Sequence, residues 1–398
     1  MVVVANHLLR TKLGGAFVLR IDDTDPSRLQ AGAEERLRED LAWLGITVDE
    51  GPDEGQFAPY RQSLRSDLHC AAAEQLVAAG RAVREADGTI VLPSATADVT
   101  VPDLSRGPIR IAAEDLGATV LVRPGGHPSY HLASAVDDHG LGITHVLRGE
   151  DHLVNTARHL MILAALDVEP PVYAHLPIVV GEDGAKLSGR NGALGLRRLR
   201  DEGWAPAAVV DWLARSACPA VTALPASTDV ELAAAFDPAR LGHGTTRLDP
   251  TLLTVLGRDH LARGGAHGLA AGVIQRLEQQ GEQVDRRAVE TLAPGLGDAA
   301  NLEQAVALVL GVLRPPVPTE ADARSRAAAE ALLAAWSTLV DVIEPDEAGR
   351  LLDGLGVGKR AVRGVLTGLD HGVPLPFVLA ALQPAAVVAR ARAILELP

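Results

Sequence analysis

Residues 129–192 constrain the fold of this chain more than any other stretch. Two apolar runs within it, 142–147 and 176–180, each stop at a cluster of glycine and polar residues. Between them, 153–166 places Leu153, Ala157, Leu160, Met161 and Ala164 on one helical face. The pattern predicts a strand–helix–strand unit with chemistry at the strand ends, where open α/β sheets bind ligands. The second strand leads through a turn at 181–184 into Lys186-Leu187-Ser188-Gly189-Arg190, a glycine-flanked loop with two cations.

The remaining chain divides by texture. Residues 2–13 predict an amphipathic helix stopped by Gly14 and Gly15. Residues 16–21 predict a buried strand that ends in the turn and cap chemistry of Asp22-Asp23-Thr24-Asp25-Pro26. A helix is expected over 33–44, with Glu34 and Arg38 four apart and Gly45 as its stop, and another over 60–79. Residues 81–128 carry short β-like runs at 89–92 and 119–122 broken by Gly and Pro, and read as a small insertion. A helix over 204–214 and a Pro- and Ala-containing linker over 219–227 follow. From 229 onward the pattern is helical, with spans at 251–262, 268–279, 302–312, 321–343, 359–367 and 376–382.

Several classes are excluded. No run of about 20 apolar residues is present, so a membrane span is not expected. The N-terminal residues lack a small-residue cleavage site and do not read as a signal peptide. Cys70 and Cys218 lie too far apart in sequence to indicate a disulfide framework or a cysteine-rich zinc site. A cytoplasmic location is the expectation. The net charge of -14 argues against indiscriminate nucleic-acid binding. Local basic runs at Arg197, Arg198 and Arg200, and at Lys359, Arg360 and Arg363, still offer patches to a polyanion. Seven of the 13 histidines fall between His127 and His175, but only His127 and His131 have helical spacing, and no zinc motif accompanies them.

Three strings carry a resemblance: FVLRIDDTD at 17–25, HVLRGEDH at 145–152 and KLSGRNGA at 186–193. The last is similar to the mobile second signature loop of class I aminoacyl-tRNA synthetases, and the three in this order resemble the glutamyl-tRNA synthetase family. The resemblance is dense over residues 5–260. It implies an α/β fold: a Rossmann-like parallel-sheet catalytic domain with a small inserted α/β segment, followed by an all-α C-terminal domain. On that reading 1–80 and 129–227 form the catalytic domain, 81–128 a reduced acceptor-end insertion and 228–398 a helical anticodon-binding part. The implied activity is glutamate–tRNA ligation, with ATP as substrate, Mg²⁺ accompanying it, no zinc, tRNA as partner and a monomeric state. The alternatives are an impaired paralogue that binds tRNA or regulates, and a specialised supplier of glutamyl-tRNA to a biosynthetic pathway.

The resemblance also assigns residues. Lys186 and Arg190 would stabilise charge on the phosphates. Leu187, Ser188, Glu150 and His175 would line the ATP site, with His152 a further nucleotide contact. Arg20, Asp22, Tyr130, Ser134 and Arg148 would hold glutamate, Arg148 gripping the side-chain carboxylate. Two departures from the family pattern stand out. Gly189 replaces the second lysine of the loop, and residues 1–13 match a helix already under way, so that the family's first strand and its histidine signature are missing. A late start and a specialised paralogue both account for this, and Gly189 favours the second.

Overall fold

The computed structural model describes residues 1–25, 30–180, 184, 195–315 and 319–397. The chain falls into two compact units, Met1–Gly195 with Val209–Asp249, and Leu196–Ala208 with Pro250–Pro398. The sequence places the start of the helical part at 228, whereas residues 229–249 belong to the first unit.

In the first unit α1 (Val2–Leu13) closes where expected. Gly14 takes a φ of 66° and its N–H reaches the Arg10 carbonyl, a left-handed cap that suits a residue without Cβ. Next come α2 (Ala33–Trp43) and α3 (Ser66–Ala78). On α2, Arg38 does pair with Glu34 at 2.9 Å. The expected strand over 16–21 is not a strand. Val18 and Ile21 make only isolated parallel bridges to Glu50 and Arg61. The partners on that side come from irregular segments, and the other side faces a cleft.

The inserted segment contains β1 (Val83–Arg84), β2 (Ile90–Leu92), β3 (Val99–Asp103), β4 (Gly107–Ile111), β5 (Thr119–Arg123) and β6 (His127–Pro128). It feeds two sheets. One is antiparallel, in the order β1-β2-β5-β6. The β3–β4 hairpin was not foreseen. It joins the parallel sheet that contains the strand–helix–strand unit: β7 (His145–Gly149), α5 (Leu153–Ala165) and β8 (Val172–Leu176), in the order β4-β3-β8-β7. Helix α4 (Tyr130–Gly140) precedes β7. The expected second strand over 176–180 is split at Pro177, which has no N–H to donate. Before the split, β8 pairs with β7; after it, β9 (Ile178–Val180) pairs with a distant strand. Leu132 of α4 and Ile162 of α5 are fully buried in the core with Leu76 and Leu121, each contributing roughly 2 kcal/mol.

Along the chain, α6 (Leu196–Asp201) belongs to the second unit, whereas most of α7 (Pro206–Ala217) and all of α8 (Asp229–Ala235) belong to the first. Residues 219–227, expected as a linker, are tied down. Buried Arg215, paired with Asp211, donates to the carbonyls of Thr222, Leu224 and Pro225. Strand β10 (Thr245–Arg247) then completes the parallel pair with β9.

The second unit continues as α9 (Pro250–Arg263), α10 (Gly265–Gln279), α11 (Arg286–Leu292), α12 (Leu302–Leu313), α13 (Ala323–Trp336), α14 (Pro345–Gly354), α15 (Lys359–Thr367), α16 (Leu375–Ala381) and α17 (Pro384–Leu395). One cluster including Val273, Leu292, Val309, Trp336, Leu366 and Val387 forms its core. The expected single helix over 321–343 ends at Trp336, and α14 starts afresh with Pro345 at its first turn, a position that suits proline. No single described helix is long and apolar enough to cross a membrane.

Candidate active site

The site is built on one face of α4. Ser129 caps this helix by accepting from the Leu132 N–H, the role short hydroxyl residues fill at helix starts. Tyr130, Ser134 and Asp138 then fall four residues apart and share a face. Ser134 and Asp138 are buried. Asp137, on a neighbouring face, anchors the helix. It accepts from Arg65 Nε at 2.6 Å and Gln62 Nε2 at 3.1 Å and lies 2.8 Å from His69 Nε2, all buried.

Arg20 reaches this face from the segment after α1. Its Nη1 donates to Asp138 Oδ1 at 2.6 Å and its Nε to Asp22 Oδ1 at 2.7 Å. Burial opposes the Arg20 charge, but Asp138 and Asp22 together raise its pKa above the ordinary value. Arg20 is thereby committed to two carboxylates, and holds Asp22 at the rim. A cleft of about 690 Å³ is lined by Arg20, Asp22 and Asp138 together with one side of α1 and residues 15–19 and 141–147. That volume lies within the range of ligand sites.

Arg148 stands near the end of β7. Its Nη2 donates to Thr156 Oγ1 at 2.7 Å, and its guanidinium carbon lies 5.5 Å from the centre of the Tyr173 ring. Such a cation over an aromatic face is favourable, the more so when desolvated. Arg148 also acts electrostatically on Tyr130, Asp138 and His159. Arg148 Nε, Tyr173 OH and His159 Nδ1 are buried and have no hydrogen-bond partner among the described residues. Leaving a buried polar group unpaired costs about 1–3 kcal/mol, so a group of them marks a place built to receive polar atoms.

The histidines sort by environment. His131 Nδ1 lies 3.5 Å from His159 Nε2, and both rings pack against Tyr130. Burial, reinforced by Arg158, Arg148 and His152, pulls the His131 imidazole down to about 4. Burial likewise holds His159 well below the usual histidine value. His152 Nδ1 is 3.4 Å from Tyr130 OH.

The structure thus brings Arg20, Asp22, Tyr130, Ser134 and Arg148 together around α4 and β7. It places two other residues differently. His175 is fully buried, with both ring nitrogens engaged, Nδ1 by Asp103 and Nε2 by Thr156. Glu150 is paired with Arg106 of the β3–β4 turn. Both side chains are therefore engaged from within the protein. Lys186, Leu187, Ser188, Gly189 and Arg190 lie outside the described residues. Sequence reasoning missed Asp138, Asp103 and Thr156. Asp138 carried a signal, the four-residue spacing from Tyr130 and Ser134; Asp103 is joined to the site only through a contact 72 residues away, and Thr156 by a turn-crossing bond to Arg148 that follows no helical or strand period.

The family model for class I (E and Q) tRNA synthetases, catalytic domain, matches residues 1–89 and 90–253. The chain belongs to this family. A relative from Rubrobacter xylanophilus named glutamate–tRNA ligase 1 is 35% identical, over 95% of this chain and 90% of its own length. One from Acidiphilium cryptum, with the same name, is 33% identical over 95% and 92%. Among solved structures, a glutamate tRNA ligase from Elizabethkingia meningosepticum, crystallised in complex with its amino acid, superposes with a TM-score of 0.85. It covers 100% of this chain and 96% of that one at 21% identity, a likeness of fold. This class I synthetase therefore has an α/β domain with parallel strands followed by a helical C-terminal part, as the sequence predicted.

Proposed function

We propose that this chain is a glutamate–tRNA ligase. The observation that carries the reading is Arg148. It is a guanidinium with a buried, unpaired Nε, set over Tyr173 and in electrostatic reach of the α4 face. A planar donor fork of this kind suits the side-chain carboxylate of glutamate. Asp22, held by Arg20 at the rim, supplies the negative charge for the α-ammonium group. Tyr130 and Ser134, one turn apart on α4, stand beside these groups.

In the first step an oxygen of the glutamate α-carboxylate attacks the α-phosphorus of ATP. The bond to the β-phosphate bridging oxygen breaks, and pyrophosphate leaves. In the second, a ribose hydroxyl at the tRNA 3′ end attacks the adenylate carbonyl, loses its proton and expels AMP. The protein's task is to position the reactants and to stabilise charge. Arg148 fixes the amino acid so that its α-carboxylate points to the nucleotide. Lys186 and Arg190 are the cations for the phosphates, by their place in the sequence. Among the described residues no group of three or more His, Cys, Asp or Glu side chains could hold a metal ion. Mg²⁺ would enter with ATP, where it would neutralise charge on the phosphates. The helical second unit is read as the tRNA-recognising part, and the protein as a cytoplasmic monomer; sedimentation checks the last.

The test is glutamate-dependent ATP–pyrophosphate exchange with and without tRNA, comparing the native chain with Arg148→Ala. Exchange in the native chain, lost in the variant with ATP binding retained, is expected. No exchange under any condition, with tRNA still bound, would overturn the ligase reading in favour of a tRNA-binding paralogue.

A further inference from the structure

Behind Arg148 runs a line of buried polar contacts that the proposed reaction does not itself use. Asp103, the last residue of β3, lies 2.6 Å from His175 Nδ1; His175 Nε2 lies 2.8 Å from Thr156 Oγ1; Thr156 Oγ1 accepts from Arg148 Nη2 at 2.7 Å. Asp103, His175 and Thr156 are all buried. We propose that Asp103, His175 and Thr156 are positioning residues, a relay that fixes the Arg148 guanidinium and ties the β3–β4 hairpin to the amino-acid pocket. The proposal rests on the reading of Arg148 as the cation that grips the substrate carboxylate.

Proton counting supports a directional chain. An ionised carboxylate only accepts, so His175 Nδ1 carries a hydrogen toward Asp103. Thr156 has one hydroxyl hydrogen and two acceptor lone pairs. It must accept from Arg148, which has no acceptor of its own. Its hydrogen then goes either to His175 Nε2 or to the His152 carbonyl, 3.0 Å away. In either arrangement the oxygen facing Arg148 remains an acceptor. What the relay fixes is the place of the Thr156 oxygen, and with it the acceptor that Arg148 meets, much as outer partners orient a ligating histidine.

Asp103 divides its two oxygens cleanly. Oδ1 accepts from Ser105 N–H, Ser105 Oγ–H and Arg106 N–H, building the hairpin turn, while Oδ2 faces His175. An asparagine here can keep its oxygen on the turn and present an N–H₂ to His175. That change reverses the hydrogen order in the relay without removing the turn. The same turn carries Arg106, which pairs with Glu150 just beyond Arg148. The hairpin therefore braces the Arg148 strand end at two points.

The experiment combines kinetics with a spectroscopic readout that needs no activity. In pyrophosphate exchange, Thr156→Val should raise the glutamate KM about tenfold or more while leaving the ATP KM within about twofold. Thr156→Ser, which restores the hydroxyl, should recover most of the loss, and Asp103→Asn should fall between. In protein with ¹⁵N-labelled arginine, the native chain should show Arg148 Nη–H resonances slowed in rotation, and Thr156→Val should average them. Exchange altered equally for glutamate and ATP, or failure of Thr156→Ser to recover it, would overturn the relay. So would unchanged Arg148 resonances in Thr156→Val. If the native chain shows no exchange at all, the ligase reading fails, while the resonances still decide whether the relay holds Arg148.

Discussion

Arg20 and Asp138 meet at 2.6 Å, with the aspartate side chain 7% exposed and the arginine 17%. The pair is what binds the segment after α1 to the pocket face of α4. Removing one member of a buried ion pair leaves the other uncompensated, at about 3–5 kcal/mol. Asp138→Ala should therefore lower unfolding stability by about 3 kcal/mol, read from the midpoint of urea denaturation. The residual partner Asp22 keeps the loss at the lower end, so Asp138→Ala combined with Asp22→Ala should cost more than either alone.

Acid should expose the Asp103 contacts. Burial opposes ionisation of this carboxyl, yet hydrogen bonds from His175, Ser105 and Arg106 hold it down at about 2. A carboxylate lowered in the folded state stabilises above its unfolded pKa and loses that contribution as pH falls toward the folded value. About 2 kcal/mol should thus vanish between about pH 4 and pH 2. Asp103→Asn should flatten this part of the pH–stability profile measured by chemical denaturation.

His131 acts in a higher window. Its folded pKa of about 4 lies below the ordinary 6.5, so the unfolded chain binds the proton first as pH drops. The neutral ring's contribution is complete above about pH 6.5 and falls away toward pH 4. His131→Gln should make stability less dependent on pH across that interval. A profile identical to the native one would show that His131 is not buried neutral.

In the helical unit, Gly257 of α9 packs with no room for a side chain. A Cβ there would meet the Ala300 carbonyl oxygen and approach Trp204 to 2.7 Å. Although alanine favours helices by about 1 kcal/mol over glycine, overpacking costs about 1–3 kcal/mol. With backbone as the obstacle, overpacking wins. Gly257→Ala should lower the thermal midpoint, whereas Gly268→Ala on α10, where a Cβ meets nothing within 4 Å, should raise it slightly.

By the resemblance of the 186–193 string, Gly189 stands where the signature loop has its second lysine; it lies outside the described residues. A missing cation aimed at developing phosphate charge costs about 3 kcal/mol, roughly a hundredfold in rate. Gly189→Lys should raise the rate of pyrophosphate exchange. An unchanged rate in an active enzyme would show that another cation already serves the phosphates.

Much of the fold was legible because its signals are local. The 3.6-residue period of α5, the glycine stop of α1 and the Glu34–Arg38 pair all lie within a few turns of sequence. What escaped depends on partners far along the chain. Residues 16–21 have the composition of a strand, but a strand exists only where neighbours supply a ladder, and here they supply two bridges. The hairpin of β3 and β4 was hidden by Pro102 and Pro108, which face each other across it. For the site, Arg148 and Tyr130 came from motif strings. Asp103 was invisible because a hydrogen bond across 72 residues leaves no local period, and Thr156 because its bond to Arg148 crosses from strand end to helix, eight residues apart, where neither the period of a strand nor that of a helix applies.

The junction of β3 with β8 has one further consequence. A single residue pair, Asp103 with Tyr173, registers the hairpin on the parallel sheet, and that residue is also the far end of the line to Arg148. The inserted segment therefore has a lower limit of size. Shortening its antiparallel sheet β1-β2-β5-β6 leaves that junction in place, whereas a deletion reaching Asp103 removes the brace on the Arg148 strand end.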